Sequence, residues 1–181
     1  MLISTSRRPT RQIRKVCRDL RRVLGNTVYV NRGKHSLRKL IEEALLLGHD
    51  KLLLLNRWKG NPGKMELYDL VPVVRRRFPI IYLHSAICQR ELGGKAADGA
   101  ARSLVLDSAN LEVIRLAEAL EQFLEIPRRP PEVCVEGIYM VLEDISGHTA
   151  LITFKRSPDC REIGPRLVIR NLVWSELGEE A

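Results

Sequence analysis

Residues 52–55 are four consecutive leucines, with charged or polar side chains close on both sides. A strand that is apolar at successive positions, without alternation, is typically covered on both faces by other elements. The run is far too short to cross a bilayer, which takes about 18 or more apolar residues. It therefore predicts a buried strand, Lys51 to Asn56, inside a layered domain of helices and sheet.

The segment before this strand has the pattern of a strand followed by a helix. Thr27 to Val30 is rich in β-branched and aromatic residues, which favour strands. Ser36 can cap a helix that Gly48 ends. Strand, helix and strand in this order predict a βαβ unit with a right-handed crossover and parallel pairing, and ligand-contacting loops at the strand ends. The core-facing residues of the helix are Leu37, Leu40, Ile41, Ala44 and Leu45.

A basic helix is predicted nearer the start of the chain. Thr10 is its expected cap, Gly25 its expected left-handed stop, and apolar residues between them recur at helical spacing. Asp19 is the one acid on a cationic face, so the like charges repel one another, and a phosphate backbone would relieve that repulsion. A solvated basic face is the alternative. The cations are Arg11, Arg14, Lys15, Arg18, Arg21 and Arg22.

The distribution of charge points to a polyanionic partner. The net charge is +8, yet residues 1–40 contain twelve Lys or Arg and one acid, so the rest of the chain is slightly acidic. Clustered cations displace the counterions condensed on a phosphate backbone, which makes nucleic acid the leading candidate. A thermophilic or GC-rich composition would explain a preference for arginine but not this clustering.

Residues 57–64 are expected to form a loop that brings cations beside an indole. Gly60, Pro62 and Gly63 favour a tight turn before a strand over Met65 to Leu70. Trp58 in this loop either stacks on a base or packs in the fold. A further buried strand is predicted over Ile80 to His84, after an interruption at Arg75 to Phe78.

The second part of the chain repeats the combination of helix and strands. Small residues at 93–99 suggest a seam, and a helix is predicted over Leu111 to Leu124, with Asn110 or Ser108 near its start. Each part offers a helix packed on several strands, which indicates a single α/β (α+β) layered domain. Further strands are predicted over Glu132 to Leu142, Thr149 to Phe154 and Arg166 to Trp174, the first two as a hairpin.

Signals for catalysis, metals or export are weak or missing. Lys34, Lys64 and Lys95 each follow a glycine, but the rest of the phosphate-loop pattern is absent. The four cysteines and four histidines show no metal-ligand spacing, and no cofactor is expected. The N-terminal residues lack the apolar stretch of a secretory signal, so we expect a cytoplasmic protein with no membrane partner.

Four short motifs occur in order along the chain. They are Thr5-Ser6-Arg7-Arg8-Pro9-Thr10, Val30-Asn31-Arg32-Gly33-Lys34 with Ser36-Leu37, Lys59-Gly60-Asn61-Pro62-Gly63 with Tyr68-Asp69-Leu70, and Glu162-Ile163-Gly164-Pro165-Arg166 with Leu167-Val168-Ile169. Each motif alone is weak, but their order is fairly specific. Together they resemble the motifs of the Brix-domain family of ribosome-biogenesis proteins, especially its single-domain archaeal members, and the likeness covers nearly the whole chain.

The resemblance implies two similar halves, each with helices packed on a mixed sheet and each akin to the anticodon-binding domain of class IIa aminoacyl-tRNA synthetases. We place them at about 1–93 and 100–181. It also implies ribosomal RNA or pre-rRNA as the partner, and no catalysis. The long charged extensions of many eukaryotic members are absent, so their protein partners cannot be carried over.

We therefore expect a non-enzymatic rRNA-binding factor in ribosome biogenesis and pre-rRNA processing. A scaffold in which the basic N-terminal segment docks on ribosomal or assembly proteins is the second hypothesis, and an RNA-modifying or RNA-cleaving enzyme is the last. Most of the expected contacts are with phosphate and would set affinity rather than sequence choice. The residues expected to contact RNA are Arg8, Arg11, Arg32, Lys34, Arg57, Trp58, Lys59, Lys64 and Arg166.

Overall fold

A computed structural model of the chain describes residues 1–59, 61–72, 78–93, 99–131 and 136–174. The predicted features at Gly60, at 75–77, at 94–98 and at 132–135 lie outside the described residues. In the first part of the chain the elements are β1 (Leu2–Thr5), α1 (Arg11–Val23), β2 (Val28–Tyr29), α2 (Leu37–Leu46), β3 (Lys51–Trp58), β4 (Asn61–Asp69) and β5 (Ile80–Ile87), followed by a 3₁₀ turn (Gln89–Leu92).

The second part of the chain has a similar series of elements. They are β6 (Ala101–Asp107), α3 (Leu111–Leu124), β7 (Arg128–Arg129), β8 (Ile138–Ile145), β9 (His148–Arg156), β10 (Arg161–Glu162) and β11 (Arg166–Val173).

The strands join into one mixed sheet in the order β2-β1-β3-β4-β5-β11-β9-β8-β6-β7, with β10 paired to β9. In each half the first strand lies between two parallel partners, β1 between β2 and β3, and β6 between β7 and β8. The halves meet where β5 pairs antiparallel with β11. The predicted α/β layered class with two similar halves is confirmed. We propose that the single domain divides within residues 93–100.

The two faces of the sheet are covered differently. Helices α1 and α3 share one large core with the sheet, in which the rings of Phe78 and Phe123 meet edge to face at 5.0 Å. Helix α2 covers a separate cluster on the other face, built on Leu2, Leu52 and Tyr68. The four leucines of residues 52–55 thus point alternately into both layers, as their continuous apolar run predicts.

Asp19 fixes helix α1 against the segment that follows β5. It is 8% exposed, and its carboxylate accepts a hydrogen bond of 2.9 Å from the backbone N–H of Gln89. Burial raises the pKa of Asp19, while the Gln89 N–H and the Arg22 guanidinium oppose the shift. Arg22 lies 3.6 Å from the carboxylate. The one acid of α1 is therefore used mainly to dock the helix.

Several details of the sequence interpretation are wrong. Strand β1 was not foreseen, and it separates β2 from β3, so the predicted direct pairing of those two strands does not occur. Residues 57–58 and 61–64 are not part of a loop: they belong to β3 and β4, in which Trp58 is opposite Asn61. Strand β6 and the short strands β7 and β10 were also missed.

Two local expectations at helices fail for physical reasons. Gly25 is not in a left-handed conformation; α1 ends at an extended Leu24, and the positive φ nearby is that of Asn26, at 49°. A Cβ on Gly25 would lie 2.7 Å from the Cβ of Ala100, so this glycine permits a close approach between the two halves. Leu45 was predicted to face the core but is 43% exposed, whereas Leu40 and Ala44 are buried. The caps Thr10, Ser36 and Asn110 are confirmed.

Gly63 gives a first prediction, on stability. A Cβ at this position would lie 2.1 Å from the Cβ of Trp58, on the neighbouring strand. We expect Gly63→Ala to lower the free energy of unfolding by about 1 to 3 kcal/mol, because overpacking forces side chains and backbone apart. Urea unfolding measures it, with Asn61→Ala, an exposed position of the same hairpin, as the control. Equal stability of Gly63→Ala and the wild type would contradict the geometry.

Candidate nucleic-acid interface

Two segments of the chain leave the sheet at one edge, after β1 and after β2, and the end of β3 lies beside them. The backbone N–H of Ser6 bonds to the carbonyl of Leu55 at 3.1 Å, and that of Val30 bonds to the carbonyl of Ile3 at 3.0 Å. Because β1, β2 and β3 are parallel, their carboxyl ends lie side by side. Residues 6–11, 30–36 and 56–59 therefore lie near one another, and we call them the basic edge.

Both helices that follow this edge begin there. The Thr10 hydroxyl accepts from the N–H of Ile13 at 3.4 Å, and the Ser36 hydroxyl accepts from the N–H of Lys39 at 3.2 Å. Neither α1 nor α2 has an acidic residue in its first turn. The free N–H groups and dipole of a helix N-terminus favour an anion. Because neither first turn contains an acidic side chain, no residue there competes with an external anion for these N–H groups.

Arg32 is the most enclosed cation of the edge. It is 9% exposed, and its Nε donates to the carbonyl oxygen of His35 at 3.1 Å. Burial lowers the pKa of Arg32, and the charge of Arg7 lowers it further, against opposing effects of Tyr68 and Glu66. The positive charges of Arg7 and Arg32 thus disfavour each other, and an anion bound here would be stabilised by both.

Arg7 is a residue that the sequence analysis left out of the site. It is exposed, lies two residues after the end of β1, and its charge lowers the pKa of Arg32. Its position in the first family motif, one residue before Arg8, was the available signal. Without the unforeseen strand β1, nothing in the sequence placed Arg7 beside Arg32.

Trp58 is 61% exposed, which excludes a place in the core and leaves its indole open to a ligand. It ends β3 at the tip of the hairpin, between Arg57 and Lys59. The structure thus brings most of the predicted site residues to one edge. The exposed cations among them are Arg8, Arg11, Lys34, Arg57 and Lys59.

Two predicted cations are already paired within the protein. Lys64 Nζ lies 3.1 Å from a carboxylate oxygen of buried Glu66, whose other oxygen accepts from the side-chain amide of Asn56. Arg166 forms two bonds to Glu162, of 3.1 and 2.6 Å, and these raise its pKa. Arg166 begins β11 opposite Ile87, two strands beyond β4. Contacts of either cation with RNA stay predictions.

Helix α1 extends the basic edge along its outer face. Arg14, Arg18 and Arg21 are exposed and successive members are one helical turn apart. From Arg11 to Arg22 the row is about 16 Å long at 1.5 Å per residue. Asp19, the one acidic residue of α1, faces the 3₁₀ turn and neutralises mainly Arg22. The face is therefore a strip of positive charge continuous with the edge.

Two of the three corresponding strand ends of the second half, those of β6 and β8, carry acids, whereas the third, β7, is Arg128–Arg129. Asp107 ends β6, Glu143 and Asp144 lie near the end of β8, and α3 has Glu112 in its first turn. Since the strand order is the same in both halves, the topology alone does not make an edge basic. The edge of the first half is basic because of the particular side chains at its strand ends.

Among the described residues, no three His, Cys, Asp or Glu side chains are grouped so that they could hold a metal ion. In the same part of the chain, no helix is long and apolar enough to span a bilayer.

Comparison with known proteins identifies relatives but no matching family profile. A probable Brix domain-containing ribosomal biogenesis protein of Methanopyrus kandleri is 31% identical over 180 residues, covering 93% of this chain and 92% of that protein. Proteins of the same description from Pyrococcus horikoshii and Pyrococcus furiosus are 44% and 45% identical over 95 residues, 52% of this chain. These matches span 42% and 43% of the two Pyrococcus proteins, less than half of their length.

Two solved structures share the fold. The crystal structure of a probable ribosomal biogenesis protein from Aeropyrum pernix superposes with a TM-score of 0.78 at 22% identity, covering 98% of this chain and 97% of that chain. An archaeal Imp4-like protein gives 0.68 at 19% identity, covering 97% and 100%. Together with the Methanopyrus relative, which aligns over nearly the full length of both proteins, they confirm the resemblance carried by the four motifs: the chain belongs to the Brix domain-containing protein family.

Proposed function

We propose that this chain is a non-catalytic, cytoplasmic rRNA-binding factor that acts in ribosome biogenesis and pre-rRNA processing. The relatives described as ribosomal biogenesis proteins support the process. The basic edge supports the ligand, and one observation carries it: exposed Arg7 after β1 and buried Arg32 after β2 lie at the strand ends where two helices begin without an acid in their first turns.

A phosphate group at this edge would offset several unfavourable electrostatic interactions at once. It would reduce the repulsion between Arg7 and Arg32 and compensate the burial that lowers the pKa of Arg32. It would also accept from free N–H groups at the start of α1 or α2. These contacts read the RNA backbone and position it, without selecting a base sequence.

The exposed cations of the edge allow a direct test with little risk to the fold. We expect the triple variant Arg8→Ala, Lys34→Ala, Arg57→Ala to bind rRNA more weakly and with a shallower salt dependence. Each lost phosphate contact removes about 0.7 from the slope of log K against log salt for a single strand. A filter-binding titration from low to high salt measures both quantities.

The matched control is the triple variant Arg102→Ala, Arg129→Ala, Arg161→Ala, which removes three exposed cations from the second half. We expect it to keep nearly the wild-type slope. If the control variant loses as much affinity and slope as the edge variant, overall charge alone determines binding and the basic edge is not a specific site. If wild-type affinity does not fall with salt, the proposed RNA contacts are wrong.

A second candidate, a scaffold for ribosomal or assembly proteins, has its own observation. Leu45, Leu46 and Leu47 at the end of α2 are 43%, 87% and 51% exposed. Adjacent exposed apolar side chains of this kind mark contact surfaces. A pull-down after nuclease treatment should keep a protein partner on the wild type and lose it on Leu46→Asp. If every partner is lost after nuclease treatment, the scaffold hypothesis is rejected and RNA binding is the remaining proposal.

A further inference from the structure

The central part of the sheet is open on the face where α2 packs. Lys64, Glu66 and Tyr68 share that face of β4, because side chains alternate along a strand, and Tyr68 lies under α2. Tyr82 of β5 is directly opposite Lys64. Beyond it His84 is exposed, and the surface continues through Arg170 and Asn171, both exposed. We call the surface formed by Tyr82, His84, His148, Arg170 and Asn171 the open face.

The open face presents flat side chains in two contacting pairs. The rings of His84 and His148 stack with centroids 4.1 Å apart and planes inclined by 33°. The guanidinium of Arg170 lies 6.0 Å from the centre of the Tyr82 ring. Tyr82 and His84 are two residues apart on β5, so the pairs are about 7 Å apart along the strand. Four planar groups thus cross three neighbouring strands without a covering helix among the described residues.

We propose that the open face binds single-stranded RNA by stacking its bases on these side chains. The inference rests on the proposed RNA-binding function and specifies the kind of RNA. Bases in a duplex are stacked on one another and hidden, whereas unpaired bases can lie on Tyr, His and Arg side chains of a sheet. Stacking is tolerant of sequence, since every base has a π-face.

The open face is continuous with the basic edge, which sets the path of the strand. Lys64 is opposite Tyr82 on one side and opposite Asn56 on the other, and Asn56 precedes Arg57 of the edge. One RNA strand can therefore place its phosphates along the edge while its unpaired bases reach β5 and β11. Arg170 supplies a cation on the far side, and the buried acid of this face, Glu66, is already bonded to Lys64 and Asn56.

The test compares single-stranded and duplex RNA with variants of the flat groups. The probes are oligouridylate and oligoadenylate of about twelve nucleotides and a blunt RNA duplex of similar length. Fluorescence anisotropy is recorded at about pH 8, where imidazoles in general are uncharged. We expect Tyr82→Ala, His84→Ala, His148→Ala to bind the single strands about tenfold more weakly and the duplex as before. The slope against salt should not change, because no phosphate contact is lost.

The control keeps the rings: Tyr82→Phe, His84→Phe, His148→Phe should retain most of the affinity. Urea unfolding of both triple variants verifies that they are folded. The proposal is overturned if the alanine variant binds single strands like the wild type, or if it loses affinity for the duplex equally. Salt-dependent wild-type binding with an unaffected alanine variant would reject the open face and leave the proposed function standing. Wild type that binds no RNA would reject both.

Discussion

The parallel pairing of β1 with both β2 and β3 determines where the cations of this chain are placed. Four residues of β1, all buried, bring the segments after β1, β2 and β3 to the same edge. Arg7, Arg32 and Arg57 are far apart in sequence, and this register makes them neighbours at one edge. Both helices that follow β1 and β2 then start at the same edge. The chemistry of the basic edge is thus a consequence of strand order.

The two halves show that one fold can present opposite surfaces. Both halves place their first strand between two parallel partners, and α1 and α3 share a core. The strand ends of the first half are cationic, while in the second half the ends of β6 and β8 have Asp107, Glu143 and Asp144 and only β7 ends on an arginine. The family fold explains the architecture, and the ligand has to be argued from the side chains at each edge.

The sequence predicted features determined by local physics. Helix caps at Thr10, Ser36 and Asn110, the buried leucine strand and the hairpin of β8 and β9 follow from spacing and hydrogen-bonding groups near in sequence. Strand β1 was missed because four residues show no readable period. Its neighbours are more than 20 residues away, so it is stabilised by long-range pairing and by burial between the two core layers.

Only part of the site was predicted, because the rest depends on contacts between residues far apart in sequence. The clustered arginines and the motif residues Arg32 and Lys34 could be read from the sequence, and the exposure of Trp58 could not. Nor could the pairing of Arg166 with Glu162, which depends on a turn, or that of Lys64 with Glu66, which needs residue 64 to lie in the strand and not in the predicted loop. The open face was invisible as well, because its planar residues come from three separate strands.

Crosslinking by ultraviolet light, with mass spectrometry of the crosslinked peptides, tests the central claim most directly. The claim is that RNA lies along the first half of the molecule. With bound rRNA, the predicted crosslinks fall in residues 6–15, 31–36 and 57–64, with further crosslinks at Tyr82, His84 and His148 where bases stack on the open face. Crosslinks confined to residues 107–112 and 143–146, the acidic strand ends of the second half, would contradict the claim.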